Sequence, residues 1–156
     1  MNIQLRKTTV EDLETLYLFQ LNEEAIHLAA FTSKNHTDRI TYFEKWTRFL
    51  QDKSINTQTI LYNGHIAGSV GKYMMEEEAE ITYWLGRDYW GKGIATKALQ
   101  QFLKLETTRP INGHVAFDNI SSQKVLENCG FVKTGSVQYF ANARGKEIEE
   151  FIYRLA

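Results

Sequence analysis

The stretch from Ile81 to Phe117 constrains the fold most. Ile81-Thr82-Tyr83-Trp84-Leu85 is rich in β-branched and aromatic residues and reads as a strand. Gly91-Lys92-Gly93 follows, after which Ile94/Ala95, Ala98/Leu99 and Phe102/Leu103 recur at helical spacing. Pro110 then separates the helix from Ile111 to Phe117, a second apolar-bearing strand. Strand, helix, strand in this order implies a parallel crossover.

The other elements build outward from that unit. Ile3 and Leu5 alternate with Gln4 and Arg6 as a short first strand, and Thr9-x-x-Asp12 forms a weak capping box before a helix carrying Leu13, Leu16, Tyr17 and Leu21. Asn22 to Asn35 shows no clear period and is not assigned an element. Ile40, Phe43, Trp46 and Phe49/Leu50 then mark a second helix that starts near Thr37-Asp38. Asn63-Gly64 lies between two apolar runs and suits a two-residue type I′ hairpin turn. Met74 to Glu78 makes the next reversal. The last helix starts near Asn119 and ends at Gly130, with Phe131 behind it, and two closing strands follow near Phe131 to Phe140 and Glu147 to Tyr153. The plan is α+β.

The chain has 156 residues, of which 43% are hydrophobic and 13% aromatic, so a single domain over 1–156 with one sizeable core is expected. A formal charge of −1 and no run of basic residues longer than two make nucleic acid a poor partner. No apolar stretch approaches the roughly 20 residues that span a bilayer. Cys129, alone, has no partner for an internal disulfide, and the N-terminus has no basic-then-apolar signal layout. The expected setting is the cytoplasm, away from membranes.

Gly91-Lys92-Gly93 opens a helix. Two glycines one residue apart let the backbone approach an anion, and the helix start adds unpaired N–H groups and the positive end of its dipole. This suits a pyrophosphate, with Lys92 adding a charge and Thr96 a hydroxyl. A plain turn explains the glycines equally well. A Rossmann fingerprint needs Gly or Ala where Thr96 stands, and a Walker loop needs Lys followed by Ser or Thr where Gly93 stands.

Trp90-Gly91-Lys92-Gly93-Ile94-Ala95 resembles the Gln/Arg-x-x-Gly-x-Gly/Ala motif of the GNAT acetyltransferase superfamily. Trp90 replaces the usual Gln or Arg, and Tyr89-Trp90-Gly91-Lys92-Gly93 is similar to the RimJ/RimL-like branch. Asn119-x-x-Ser122 and Glu127-x-x-Gly130-Phe131 resemble that branch as well. The resemblance is specific from about Ala79 to Phe131. It implies a GNAT fold, with a mixed sheet of about seven strands, about four helices, and a V-shaped splay between strands 4 and 5. It implies acetyl-CoA as co-substrate, with the backbone of Tyr83, Trp84 and Leu85 along the pantetheine, Gly91, Lys92, Gly93, Ile94, Ala95 and Thr96 at the pyrophosphate, and Asn119 on the pantetheine or adenosine side. Ala29-Ala30-Phe31 and the start of the second helix would line the acceptor side.

Transfer to an amine needs a neutral nucleophile, a polarised thioester and a proton for the leaving thiolate. Glu80 is the favoured base and His114 the alternative, its ordinary pKa of roughly 6.5 suiting proton transfer. A backbone N–H near Trp84 or Leu85 is the expected oxyanion donor. Ser122 is the candidate for the thiolate proton, with Tyr139 or water behind it. In each case the plain reading stands beside this one: Glu80 as a solvent-facing or paired strand residue, His114 as structural, Ser122 as a helix cap. Leu126 stands where many GNAT enzymes carry a tyrosine acid. That absence keeps open a catalytically silent acyl-CoA-binding or sensing domain, and a nucleotide-binding structural domain is the third reading. No metal is implied, because His27, His36 and His65 lack ligand spacing. The acceptor is expected to be a primary amine, a protein N-terminus or a small compound, taken by a monomer or homodimer.

Overall fold

The computed structural model describes residues 1–156. The strands are β1 (Ile3–Lys7), β2 (Asn56–Tyr62), β3 (His65–Met75), β4 (Glu78–Leu85), β5 (Ile111–Ala116), β6 (Val132–Ala141) and β7 (Lys146–Leu155). The helices are α1 (Leu13–Phe19), α2 (Glu23–Ala29), α3 (Arg39–Gln51), α4 (Ile94–Leu105) and α5 (Ile120–Asn128). All seven strands form one sheet in the order β1-β2-β3-β4-β5-β7-β6. Only β4 and β5 run parallel, as the crossover through α4 requires. The mixed α+β sheet with its parallel centre is the architecture expected.

Five helices stand where about four were expected. The additional one is α2, in the segment that shows no period. It has seven residues, and its cap is local: the Asn22 side chain accepts from the N–H of Ala25 at 2.9 Å. Two turns burying only Ala25 cannot display a 3.6-residue repeat.

The turns follow their chemistry. Asn63 and Gly64 both have positive φ, 50° and 84°, as a type I′ turn demands. Glu76 and Glu77 make the same kind of reversal between β3 and β4 at φ 51° and 67° without a glycine. At the end of α5, Gly130 has φ 92°, and the N–H of Phe131 reaches the Leu126 carbonyl at 3.0 Å.

Alternation along β4 divides the sheet into two faces. Ala79 and Ile81 join Ile111 and Val115 of β5 and the apolar stripe of α4, Ile94, Ala98, Leu99 and Phe102, in the main core. Glu80, Thr82 and Trp84 point the other way, toward α1 to α3. On that side the β6–β7 turn is a clamp. Arg144 donates to the His27 carbonyl at 2.7 Å and to both oxygens of Asp118 at 2.9 Å, and Asn142 donates to the Thr32 carbonyl at 2.8 Å. The end of α2 and the residues after it are thereby held against the mouth of β5.

Candidate active site

Strands β4 and β5 pair only from Ala79↔Ile111 to Ile81↔Gly113. Beyond that point β4 stays zipped to β3 as far as Leu85↔Gly68, while β5 stays zipped to β7 as far as Ala116↔Glu150. Each strand follows its outer neighbour, so their inner edges diverge and a V opens between Thr82–Leu85 and His114–Ala116. Main-chain groups on such an edge can take an extended ligand as an added strand. A cavity of about 640 Å³ occupies the V and runs to the start of α4.

At that end Gly91 and Gly93 have φ 73° and 76°, a region closed to most side chains, and a Cβ at either would meet no protein atom within 4 Å. The requirement is for the turn, and packing plays no part in it. Gly93 is the N-cap of α4, and the N–H groups of Ile94, Ala95 and Thr96 have no acceptor within the helix. Gly91, Gly93, Ile94, Ala95 and Thr96 all line the cavity, whereas Lys92 is exposed and outside the lining. Ile94 is 1% exposed, so only its backbone is available there. Trp90 pins the loop to the strand, its indole N–H donating to the Leu85 carbonyl at 3.2 Å, while Arg87 lies over its ring at 4.5 Å. That bond takes one of the two backbone groups of Leu85.

Asn119 lines the cavity too, but its side chain is committed. The oxygen caps α5 through the N–H of Ser122 and the amide donates to the Leu28 carbonyl, both at 3.3 Å. Ser122 sits in the first turn of α5, and its hydroxyl is hydrogen-bonded to the Tyr83 phenol. Burial pushes the Tyr83 pKa up to about 12, so the phenol keeps its proton at neutral pH. Tyr139 lies elsewhere, on exposed β6 against Phe31. Leu126 is core: it fills the space above Gly113, where an added Cβ would come within 2.9 Å of its side chain. Tyr83, from β4, is a phenol in the lining of the cleft. Cys129, its pKa raised to about 11 by burial, is a neutral thiol.

On the opposite face, where the strands part, Glu80, His114 and Glu150 form a chain. Nε2 of His114 lies 3.1 Å from Glu80 and Nδ1 lies 3.2 Å from Glu150. The hydrogen bonds to Glu150 and then Glu80 raise the His114 pKa to about 10, so the ring is an imidazolium at neutral pH and has no lone pair for a proton. Glu80 is 2% exposed, and its second oxygen has no hydrogen-bond partner. Tyr73, opposite Glu80 in the ladder, completes the cluster; burial and then the two carboxylates raise its pKa. His114, Glu150 and Tyr73 line the cavity, while Glu80 stands behind them. Sequence reasoning passed over Glu150, although the two-residue period of β7 puts it on the same face as Ile148 and Ile152.

A second cavity of about 560 Å³ lies between α1, α3 and strands β3 and β4, and shares Tyr73, Thr82, Tyr83 and Trp84 with the first. Ala29 and Phe31 line the first cavity, and Ala30 is fully buried.

A seven-stranded sheet with one parallel pair, opened by a V and followed by a glycine turn at a helix start, defines an acyl-CoA-dependent transferase of the GNAT fold. The acetyltransferase (GNAT) domain family matches residues 2–132, and the chain belongs to it: it is an acetyl-CoA-dependent N-acetyltransferase. It is 28% identical over 167 residues to the uncharacterized N-acetyltransferase p20 of Bacillus licheniformis, covering 98% of this chain and 92% of that protein. In fold it is similar to RimL, a ribosomal L7/L12 alpha-N-protein acetyltransferase solved with coenzyme A, with a TM-score of 0.86 at 18% identity over 99% of this chain and 94% of that one. It is also similar to the microcin C7 self-immunity acetyltransferase MccE, solved with acetyl-CoA and AMP, with a TM-score of 0.79 at 24% identity over 99% and 92%. No helix is long and apolar enough to cross a membrane.

Proposed function

We propose that this enzyme acetylates a primary amine by direct attack, with the amine arriving from the α1–α3 side of the sheet. The carrying observation is the Glu80–His114–Glu150 chain at the point where β4 and β5 part. Two carboxylates and one imidazolium leave a net negative charge, which draws in an ammonium and then takes its proton. Glu80, behind the residues that line the cavity, is the proton acceptor through an intervening water, by the oxygen that has no partner. His114 is a positioning residue that holds Glu80 and Glu150 in place, since its own ring is already protonated.

Acetyl-CoA supplies the thioester. The residues proposed to hold it are the backbone of Tyr83, Trp84 and Leu85 along the inner edge of β4 and the N–H groups of Gly91 to Thr96 at the pyrophosphate. Lys92 gives charge from the rim, and Asn119 acts by fixing the start of α5. A backbone N–H at Trp84 or Leu85 polarises the carbonyl. Ser122, backed by the Tyr83 phenol, gives the proton to the departing sulfur. This removes the argument for a silent domain, which rested on Leu126.

The test is thiol release from acetyl-CoA over a panel of amines. Glu80→Gln is expected to lower kcat/KM by roughly 10²-fold or more with the acetyl-CoA KM nearly unchanged. Retention of full kcat/KM by both Glu80→Gln and Glu150→Gln would remove the carboxylates from the mechanism.

A further inference from the structure

Beside the cleft, Arg144 makes contacts that the transfer steps leave unassigned. Pairing of the β5 chain with β7 ends where the Phe117 N–H reaches the Glu149 carbonyl at 3.0 Å. Asp118 is the first residue past the sheet, and Asn119 caps α5 from there. Arg144, in the β6–β7 turn, grips both carboxylate oxygens of Asp118 at 2.9 Å, while its Nε donates to the His27 carbonyl in the last turn of α2 at 2.7 Å. Its side chain is 6% exposed, and its hydrogen bonds hold the Asp118 carboxyl below the usual carboxylate range.

The start of α5 is otherwise lightly held. Leu126 is the one buried residue of the helix, and it lies in the second turn. The Asn119 side chain meets the Ser122 N–H and the Leu28 carbonyl at 3.3 Å each, long for such bonds, and Gln123 reaches back only to the neighbouring Ala116 and Phe117 carbonyls. The paired charge-assisted bonds from Arg144 are stronger than these, and a planar fork fixes a carboxylate in direction as well as distance. Ser122 lies in the first turn, with its hydroxyl on the Tyr83 phenol. A shift of the Asp118 loop therefore moves Ser122 relative to β4, which is anchored separately through β3. The α2 end of the bridge is strained. Ala30 has φ 66° and ψ −49°, and the Phe31 N–H returns to the Ala29 carbonyl at 2.7 Å, the rarer form of γ-turn. Its carbonyl accepts from the N–H of Ala143, next to Arg144, at 3.1 Å. Such a conformation persists where the surroundings hold it. One turn thus fixes the chain on both sides of the cleft mouth.

We infer that Arg144 is a positioning residue for acetyl transfer, acting through Asp118 and Asn119 to hold the Ser122 hydroxyl in place for the departing sulfur. The inference rests on the reading that Ser122 supplies the thiolate proton, and it adds the residue that sets where that proton is delivered from. Arg144 itself touches neither substrate. A misplacement of about 1 Å can cost a reacting group up to roughly 10²-fold in rate. The donor's proposed contacts lie on β4 and at the start of α4, so removal of Arg144 leaves the acetyl-CoA KM nearly unchanged.

A double-mutant cycle tests this. Thiol release from acetyl-CoA is followed with butylamine as the probe amine and, separately, with water as the sole nucleophile, since the sulfur needs its proton in both. Arg144→Met is expected to lower kcat roughly tenfold with either nucleophile, but less than about twofold in the Ser122→Ala background. Arg144→Lys, whose single ammonium cannot span the carbonyl and both carboxylate oxygens, should fall between Arg144→Met and wild type. Asp118→Asn leaves the His27 bond in place and should reproduce the loss in smaller measure, which keeps the test open if Arg144→Met folds poorly. Arg6→Met is the stability control: it breaks the pair with Asp12 on β1, three strands from β4, and should lower the thermal midpoint with kcat within about twofold of wild type. Equal losses from Arg144→Met in both backgrounds, or a loss that Arg6→Met matches at the same thermal midpoint, overturns the inference. A Ser122→Ala protein with full kcat overturns the proton-donor reading and the inference with it. A slow Ser122→Ala beside an unimpaired Arg144→Met overturns the inference alone.

Discussion

The hydroxyl of Tyr83, on β4, is hydrogen-bonded to the hydroxyl of Ser122, on α5, in the lining of the cleft proposed to receive the acyl donor. Alternation along β4 aims Tyr83 toward α5, while Glu80, Thr82 and Trp84 face α1 to α3. In the proposed reaction one strand would serve both halves, with even-numbered side chains on the amine side and an odd-numbered phenol on the thiol side.

If Tyr83 and Ser122 act as one proton-donating pair, their substitutions will not add. Tyr83→Phe and Ser122→Ala are each expected to lower kcat by roughly 10²-fold with little change in the acetyl-CoA KM, and the double variant should resemble the slower single one. Steady-state thiol release with all three variants measures this. Losses that multiply would mean that the two hydroxyls act independently.

A phenol in this position was within reach of the sequence and was not read from it. The strand character of Ile81 to Leu85 was plain, and so were the Asn63-Gly64 turn, the Gly91-Lys92-Gly93 turn before an apolar-striped helix and the glycine stop at Gly130, because each is a local signal of a few adjacent residues. Tyr83 meets Ser122 over a separation of 39 residues, through a crossover whose exact rotation no local pattern specifies. Glu150 was hidden for a different reason: Lys146-Glu147 and Glu149-Glu150 look like a solvated strand, and only pairing with β5 turns Glu150 toward His114. Helix α2 was too short to show a period. The second cavity arises from the packing of α1 and α3 against β3 and β4, so nothing in any one element announces it.

The imidazolium between Glu80 and Glu150 gives stability a pH dependence. The folded pKa of His114, about 10, lies above its ordinary 6.5, so the folded state binds a proton that the unfolded state releases. The contribution is complete below about pH 6.5 and is lost as pH rises through about 10. Urea unfolding from pH 6 to about pH 10.5 should show wild type losing stability over that window while His114→Gln stays comparatively flat. Parallel curves for the two proteins would mean that His114 is not charged in the fold.

Asp12 predicts the opposite limb. Burial opposes its ionisation, but the hydrogen bonds from Arg6 at 2.7 Å, the Thr9 N–H at 2.9 Å and the Thr59 hydroxyl at 3.0 Å prevail and hold its pKa at about 2. Stability from this group is present above the ordinary carboxylate value of 3.8 and is lost as pH falls through about 2. Asp12→Asn should cost roughly 2 kcal/mol at neutral pH, and the difference from wild type should shrink in acid across that interval. Denaturant titrations at pH 7 and pH 2.5 check both parts.

Gly68 links the fold to the donor site. A Cβ at this position would come within 2.1 Å of the Trp84 carbonyl oxygen and 3.0 Å of the Leu85 Cα, both of them backbone atoms that no side-chain rotation can move. Gly68→Ala must therefore push β4 away from β3, and the displaced backbone is the segment proposed to meet the pantetheine. A destabilisation of roughly 1–3 kcal/mol is expected. The stabilisation of the fold by added CoA, read as the shift in thermal midpoint at a fixed excess of ligand, should fall as well. Gly64→Ala is the control: the hairpin turn is strained by a side chain at φ 84°, but the added Cβ touches nothing within 4 Å. That variant should lose stability and keep the full CoA-induced shift. A Gly68→Ala protein that also keeps the full shift would show that the donor does not rest on Trp84 and Leu85.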